Sequence, residues 1–215
     1  MPKPNSDRWF ALWKRLGAQG APALVYSDLV THYAESHRAY HNLSHIDACL
    51  CEFDRARHLA KNGEAIEAAI WFHDIIYDTH AKDNEERSAA LAQSTLKAVG
   101  LTDNFTENVF KLILATKHTS MPSGLDATLL VDVDLSILGQ SQAKFDEYER
   151  QIREEYNWVD AQAFAIGRSS VLKSFLERSS IYSTDFFRSK YEAKARENII
   201  QSLAQLQEGP KGFKP

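Results

Sequence analysis

The residues of this chain best suited to chemistry are histidines and aspartates, and they are unevenly placed. His37, His41 and His45 recur every four residues, so on a continuous helix they would share one face. His73 is followed directly by Asp74. His118 ends a helical run, and Asp132 and Asp134 lie in the next element. Imidazole and carboxylate together suit Zn, Mn, Fe and Ni in mixed nitrogen/oxygen sites. A site with few protein ligands keeps positions open for water and substrate, as a catalytic metal requires. The His73-Asp74 doublet interrupts an apolar stretch that runs from Ile66 through Trp71 and Phe72 to Ile75, Ile76 and Tyr77. An ionised Asp in such surroundings is costly unless it is paired or bound to a metal. Adjacent helical side chains diverge by ~100°, yet both can reach an ion placed between their directions. The plainer alternative is a buried His-Asp hydrogen bond that only orients the core.

The elements that must position these groups are helical almost throughout. Leu24, Val25, Leu29, Val30 and Tyr33 recur at helical spacing, as do Ile46, Cys49, Leu50 and Phe53, and later Ala195, Ile199, Leu203 and Leu206. Gly63 breaks the chain before a helix predicted from about Glu64 through the His73-Asp74 doublet. Asp83 or Asn84 is placed to cap the next helix, which ends near Gly100. Thr102 to Thr119 reads as a further helix, and Met121 to Gly124 as a turn. Asp126 is a candidate cap for the element after that turn. Phe145–Tyr156, Asp160–Leu176 and Asp185–Leu206 read as three more helices. Residues 131–136 alternate apolar and polar with a period of two, as a strand would. With no convincing partner strand, a strand there would leave its backbone hydrogen bonds unmade, so helix is favoured. The expected fold class is therefore all-α, one domain over residues 1–206, with a flexible C-terminal tail at 207–215.

The chain's 215 residues are 44% hydrophobic and 25% charged, close to the globular average. The formal net charge of −4 speaks against a long nucleic-acid partner, which needs a basic face. Cys49 and Cys51 diverge by ~200° on a helix and read as small hydrophobes in a reducing compartment. No signal peptide and no apolar run of membrane-spanning length is visible, so a cytoplasmic location without membrane association is expected.

Several ordered blocks carry a resemblance. They are Tyr40-His41-Asn42-Leu43-Ser44-His45-Ile46, Trp71-Phe72-His73-Asp74-Ile75-Ile76-Tyr77-Asp78 and Asn84-Glu85-Glu86-Arg87-Ser88-Ala89. Ala115-Thr116-Lys117-His118-Thr119, the run Asp132 to Gly139, Ile152 to Tyr156 and Gly167-Arg168 continue the series. The order of a His, a His-Asp doublet and a later Asp resembles the HD superfamily of metal-dependent phosphohydrolases. More narrowly, the chain is similar to small predicted bacterial HD-domain proteins of unassigned substrate. The resemblance implies an HD-type helical bundle with a metal site in its core. It implies His45, His73, Asp74 and Asp134 as metal ligands, with Asp132 as the competitor for the last place. His41 departs from the simplest motif and is a contact to ligand or substrate, or the first ligand itself if the register is shifted by one turn. Lys117-His118 stands where related two-metal members carry a His-His pair, so one ion is expected.

The chemistry implied is hydrolysis by a metal-activated water. A dication lowers the pKa of its bound water toward ~7 and neutralises charge growing on a phosphoryl oxygen. Asp74, His118 and Asp78 are the candidate catalytic groups: Asp74 to orient that water, His118 to meet the phosphate or the leaving oxygen, and Asp78 at the rim. His41, Lys117 and Arg153 are candidate substrate contacts, and Arg168 is a further phosphate fork, since guanidinium pairs bidentately with phosphate. The expected cofactor is a divalent ion, Mn, Fe, Ni, Zn or Mg, and the expected partner is a nucleotide or another small phosphorylated metabolite. Oligomeric state is open, a homo-oligomer included. The alternative from another class is a metal-containing module that senses a nucleotide without turning it over. A helical interaction protein with no metal is the third, and under it Asp74→Ala leaves function intact.

Overall fold

The structure, a computed structural model, describes residues 6–118 and 121–208. The described residues form ten α-helices and two short 3-10 turns joined by irregular chain, and no strand occurs among them. The fold is all-helical, as the periodicity predicts. No described helix is long and apolar enough to cross a membrane.

Local chemistry sets most of the helix starts. Helix α1 spans Ser6–Leu16, and α2, Pro22–Tyr33, opens on a proline, which suits the first turn because the missing N–H has no intrahelical partner there. Helix α3 spans Leu43–Ala56, and the Asn42 side chain caps it by accepting from the Ser44 amide at 2.8 Å. A 3-10 turn at Arg57–Leu59 precedes α4, Gly63–Phe72, which Asn62 caps through the Ala65 amide. Then come α5, Asn84–Ala98, and α6, Asp103–Ala115, with Thr102 as the cap of the latter. Helix α7, Leu125–Asp134, runs into a 3-10 turn at Leu135–Gly139, and α8, α9 and α10 span Gln142–Glu155, Ala161–Leu176 and Asp185–Glu208.

The sequence treats residues 1–206 as one domain, whereas the chain's contacts divide it into two compact units, residues 1–134 and 135–215. In the first unit α4 is the central helix. Every residue from Ala65 to Phe72 is buried, and α1, α3, α5, α6 and α7 all pack against it. Such a helix, apolar all round, belongs inside a core. Trp9 meets Trp71 edge-on at 5.7 Å, and the Tyr33 hydroxyl donates to the Trp71 carbonyl at 3.0 Å. The one acid in this run, Glu67, is 1% exposed and is met by Arg8, Arg15 and Arg57. The end of α4 is therefore held from several sides.

Four details differ from the sequence expectation. Helix α4 ends at Phe72 instead of running through Asp74, because the groups that would extend it are taken elsewhere. The Asp74 and Ile75 carbonyls accept from Arg38, and the Ile76 amide donates to Ser88 Oγ. Asp78 is consequently not on a helix face shared with Asp74. His37 and His41 precede α3 and lie on irregular chain, so they do not share a helix with His45. Asp126 lies inside α7 and accepts from the Lys61 and Asn62 amides at 2.7 and 3.0 Å instead of capping its own helix. Helix α6 stops at Ala115, short of the predicted Thr119, which lies outside the described residues.

In the second unit, α10 packs on the 3-10 turn at Leu135–Gly139. Gly139 permits this approach, since a Cβ there would come within 2.5 Å of the Tyr191 Cβ. Asn198 Nδ2 donates to the Leu138 and Gln140 carbonyls, and the Tyr182 hydroxyl donates to Leu135. Gln207 and Glu208 still belong to α10, and the rest of the expected tail lies outside the described residues. The loop before α10 is fastened by Glu192, whose carboxylate accepts from the Ile181 and Tyr182 amides and pairs with Arg196. Burial opposes its charge, but these amides, Arg196 and Ser180 outweigh it and hold the carboxyl below its usual range. A lowered folded pKa contributes stability above the unfolded value, near ~4.3, and that contribution is lost as pH falls through the folded value. Glu192→Gln should therefore cost about 1–2 kcal/mol at neutral pH. The gap to wild type should narrow at pH ~3. Urea unfolding at the two pH values checks this, and equal stability at neutral pH would refute it.

Candidate metal centre

Three segments of the first unit converge at the end of α4. His45 is the third residue of α3, just inside the Asn42 cap, and is 4% exposed. His73 follows the last residue of α4 and is 2% exposed. Asp74 comes next, and Asp134 closes α7. His45 Nε2 lies 3.1 Å from His73 Nε2, 3.5 Å from Asp74 Oδ2 and 3.3 Å from Asp134 Oδ1. His73 Nε2 lies 2.9 Å from Asp74 Oδ2 and 3.6 Å from Asp134 Oδ1.

These separations and the chemistry of the donors fit a metal ion. Ligand atoms ~2.1 Å from one ion stand ~3.0 Å apart at right angles and ~3.4 Å apart in a tetrahedron. His73 Nδ1 lies 2.9 Å from the Ile70 carbonyl, which can only accept, so that nitrogen carries a proton. In the neutral ring Nε2 is then a bare lone pair, aimed at another imidazole nitrogen and two carboxylate oxygens. A metal ion among these atoms relieves the repulsion, as does a proton shared by the imidazoles, and a backbone carbonyl fixing the outer nitrogen is the usual support of a metal-ligating histidine. His45, His73 and Asp74 form one group that could hold a metal ion, and His45, Cys49 and Asp134 form a second.

The electrostatics show a cluster that attracts positive charge, whether as protons on the imidazoles or as an ion that displaces them. Burial works against charge on His45, but Cys49, Tyr40, Asp134 and Asp74 outweigh it and raise its pKa well above the ordinary value. His73 is raised likewise, against burial, by Asp74 and Asp134. Burial would push both aspartates up. His73, His45 and His41 instead pull Asp74 well below the carboxylate range, and His118, His45 and His73 do the same to Asp134. The cluster keeps its carboxylates ionised and draws positive charge between its donors.

The remaining candidates lie at varying distances from these donors. His118 Nε2 lies 3.0 Å from Asp134 Oδ2, the oxygen turned away from the two imidazoles. Its φ of 56° is left-handed, a conformation that costs a non-glycine residue of order 1–3 kcal/mol and that clusters at functional sites. His41 stacks on Tyr77 at 4.1 Å with its ring 5.9 Å from that of His45, beside the centre and in neither donor group. Asp132 is buried on α7 and is in neither group, whereas Asp134 Oδ1 faces both His45 and His73. Asp78 is exposed, and its carboxylate accepts from the His80 amide at 2.9 Å, a local turn that holds it to its own loop. Lys117 Nζ pairs with Glu86 and donates to the Lys82 carbonyl at 3.1 Å. In the second unit, Arg153 donates to the Tyr156 and Val159 carbonyls and lies over the Phe164 ring, while Arg168 pairs with Glu149. Both guanidiniums thus have partners within their own unit.

Cys49, which composition reads as a core hydrophobe, sits 3.7 Å from both ring nitrogens of His45. The signal that finds it is its place four residues after His45, one turn along the same face of α3. The chain matches no family model, no curated protein and no solved structure at a significant level.

Proposed function

We propose that the chain is a metal-dependent phosphohydrolase of the HD type, acting on a nucleotide or another small phosphorylated metabolite. The observation that carries this reading is the His73 lone pair, fixed by the Ile70 carbonyl and facing His45, Asp74 and Asp134. The ordered sequence blocks from Tyr40 to Arg168 support it independently. His45, His73, Asp74 and Asp134 would hold the ion. A dication there supplies Lewis acidity toward a phosphoryl oxygen and a water of lowered pKa.

The chain's own residues do the rest. Asp74, partly open at 19% side-chain exposure, would orient a water by accepting its hydrogen bond. Asp134 presents one oxygen to the imidazoles and the other to His118. His118, at 22% side-chain exposure, stands beside the donors with its Nε2 against Asp134 Oδ2, and would have to release that bond to pass a proton to the departing oxygen. His41, stacked on Tyr77, lines the approach. Asp78, Lys117 and Arg153 have no part in this scheme, because each is held by groups away from the donors.

Phosphate release tests the proposal. The purified chain, loaded in turn with Mn, Fe, Ni, Zn and Mg, is incubated with a panel of nucleotides and phosphorylated metabolites. Release that requires the ion and stops on chelation is the expected result. Binding without release favours the sensor reading, and failure to retain any of these ions overturns both.

A further inference from the structure

Arg38 belongs to none of the candidate groups, yet its side chain is fully buried, with 0% exposure. It lies between α2 and α3, on the irregular chain that carries His37 and His41. Its Nη1 donates to the Asp74 carbonyl at 2.6 Å and to the His41 carbonyl at 3.0 Å, and its Nη2 donates to the Ile75 carbonyl at 2.8 Å. Its Nε donates to Glu35 at 2.9 Å. The guanidinium is packed 5.2 Å from the Tyr33 ring and 5.5 Å from that of Tyr77.

We propose that Arg38 is the positioning residue of the metal centre, clamping the Asp74 peptide onto the segment that leads into His45. The proposal rests on the metal reading of the site. Helix α4 ends before Asp74, so no helical N–H donates to the Asp74 or Ile75 carbonyl to hold this peptide in register. One planar group with several fixed donors does so instead, and at the same time grips the His41 carbonyl at the entry to α3. Asp74 and His45 are thus located against each other through a single rigid fork. Lysine cannot replace it, since one ammonium cannot reach three carbonyls with that geometry. Loss of an outer group that orients metal ligands typically weakens metal affinity 10–100-fold.

Cobalt(II) titration of the full chain tests this, read by binding isotherm and by the visible ligand-field spectrum. Arg38→Lys should bind Co(II) ~10–100-fold more weakly than wild type and with an altered spectrum. Arg168→Lys, which disturbs a buried arginine of the second unit, should leave both unchanged. Arg38→Ala should regain affinity on addition of millimolar guanidinium, which a merely destabilised protein would not. Wild-type affinity and spectrum in Arg38→Lys would overturn the inference and leave the metal reading standing. An equal loss in Arg168→Lys would overturn it as a general stability effect. A wild-type chain that binds no Co(II) would overturn the inference and the metal reading together.

Discussion

Asp74→Ala should purify with almost no metal, where wild type should carry about one ion per chain, and should lose phosphate release with it. Asp74 is the only carboxylate within 3 Å of the His73 lone pair among the contacts at the centre. Its pKa is held well below the usual range because two buried imidazoles and His41 favour its charge over the burial that opposes it. Removing one partner from a buried charged set costs ~3–5 kcal/mol. At ~1.4 kcal/mol per tenfold, metal affinity should fall by ~10²–10⁴. The fold should survive, since Asp74 lies beyond the end of α4 and outside every helix. Asp74→Asn sharpens the test, because it keeps the shape and one oxygen and removes only the charge. Metal content by plasma mass spectrometry, alongside a far-ultraviolet dichroism spectrum, checks both variants. Full metal content in Asp74→Ala would mean that the remaining donors suffice, and intact function without metal would return the chain to the helical interaction reading.

Much of this centre is legible in the sequence, and the parts that are not share a physical cause. The helical class follows from the spacing of Leu50, Phe53, Ile66 and Ile70. The caps Thr102 and Asp160 are where side-chain acceptors precede apolar runs. His45, His73 and Asp74 stand out as polar groups in apolar surroundings, which need a partner. What periodicity misses is where an element is cut by a group distant in the chain. Arg38 takes the carbonyls of Asp74 and Ile75, and no local pattern marks the end of α4 at Phe72. The spacing of His37, His41 and His45 suggests one helix face, but the Asn42 cap starts α3 after two of them. Choosing Asp134 over Asp132 depends on how α7 is rotated against α3 and α4, a tertiary fact. Arg153 shows the converse: an arginine at a helix end is read as a phosphate fork, and no local pattern announces that it donates to carbonyls of the loop that follows.

Metal should also stabilise the protein strongly, because its donors come from α3, the end of α4 and the end of α7, which only folding brings together. An ion that binds the native chain alone contributes RT ln(1 + [L]/Kd), or ~4 kcal/mol at a thousandfold excess over Kd. For a chain of this size each kcal/mol moves the midpoint by ~2–4 °C, so a shift of ~8–16 °C is expected. All four proposed donors lie in the first compact unit, so the shift should belong to that unit's unfolding, and Asp74→Asn should abolish the shift. Glu192→Gln, in the second unit, should lower stability without reducing the metal-induced shift. Calorimetry with and without each ion, reversed by chelator, separates these effects. A shift that persists in Asp74→Asn would place the ion elsewhere in the chain. No shift with Mn, Fe, Ni, Zn or Mg would leave the His73 lone pair to be satisfied by a proton alone, in which case the convergence of two imidazoles and two carboxylates would be a device for holding α3, α4 and α7 together.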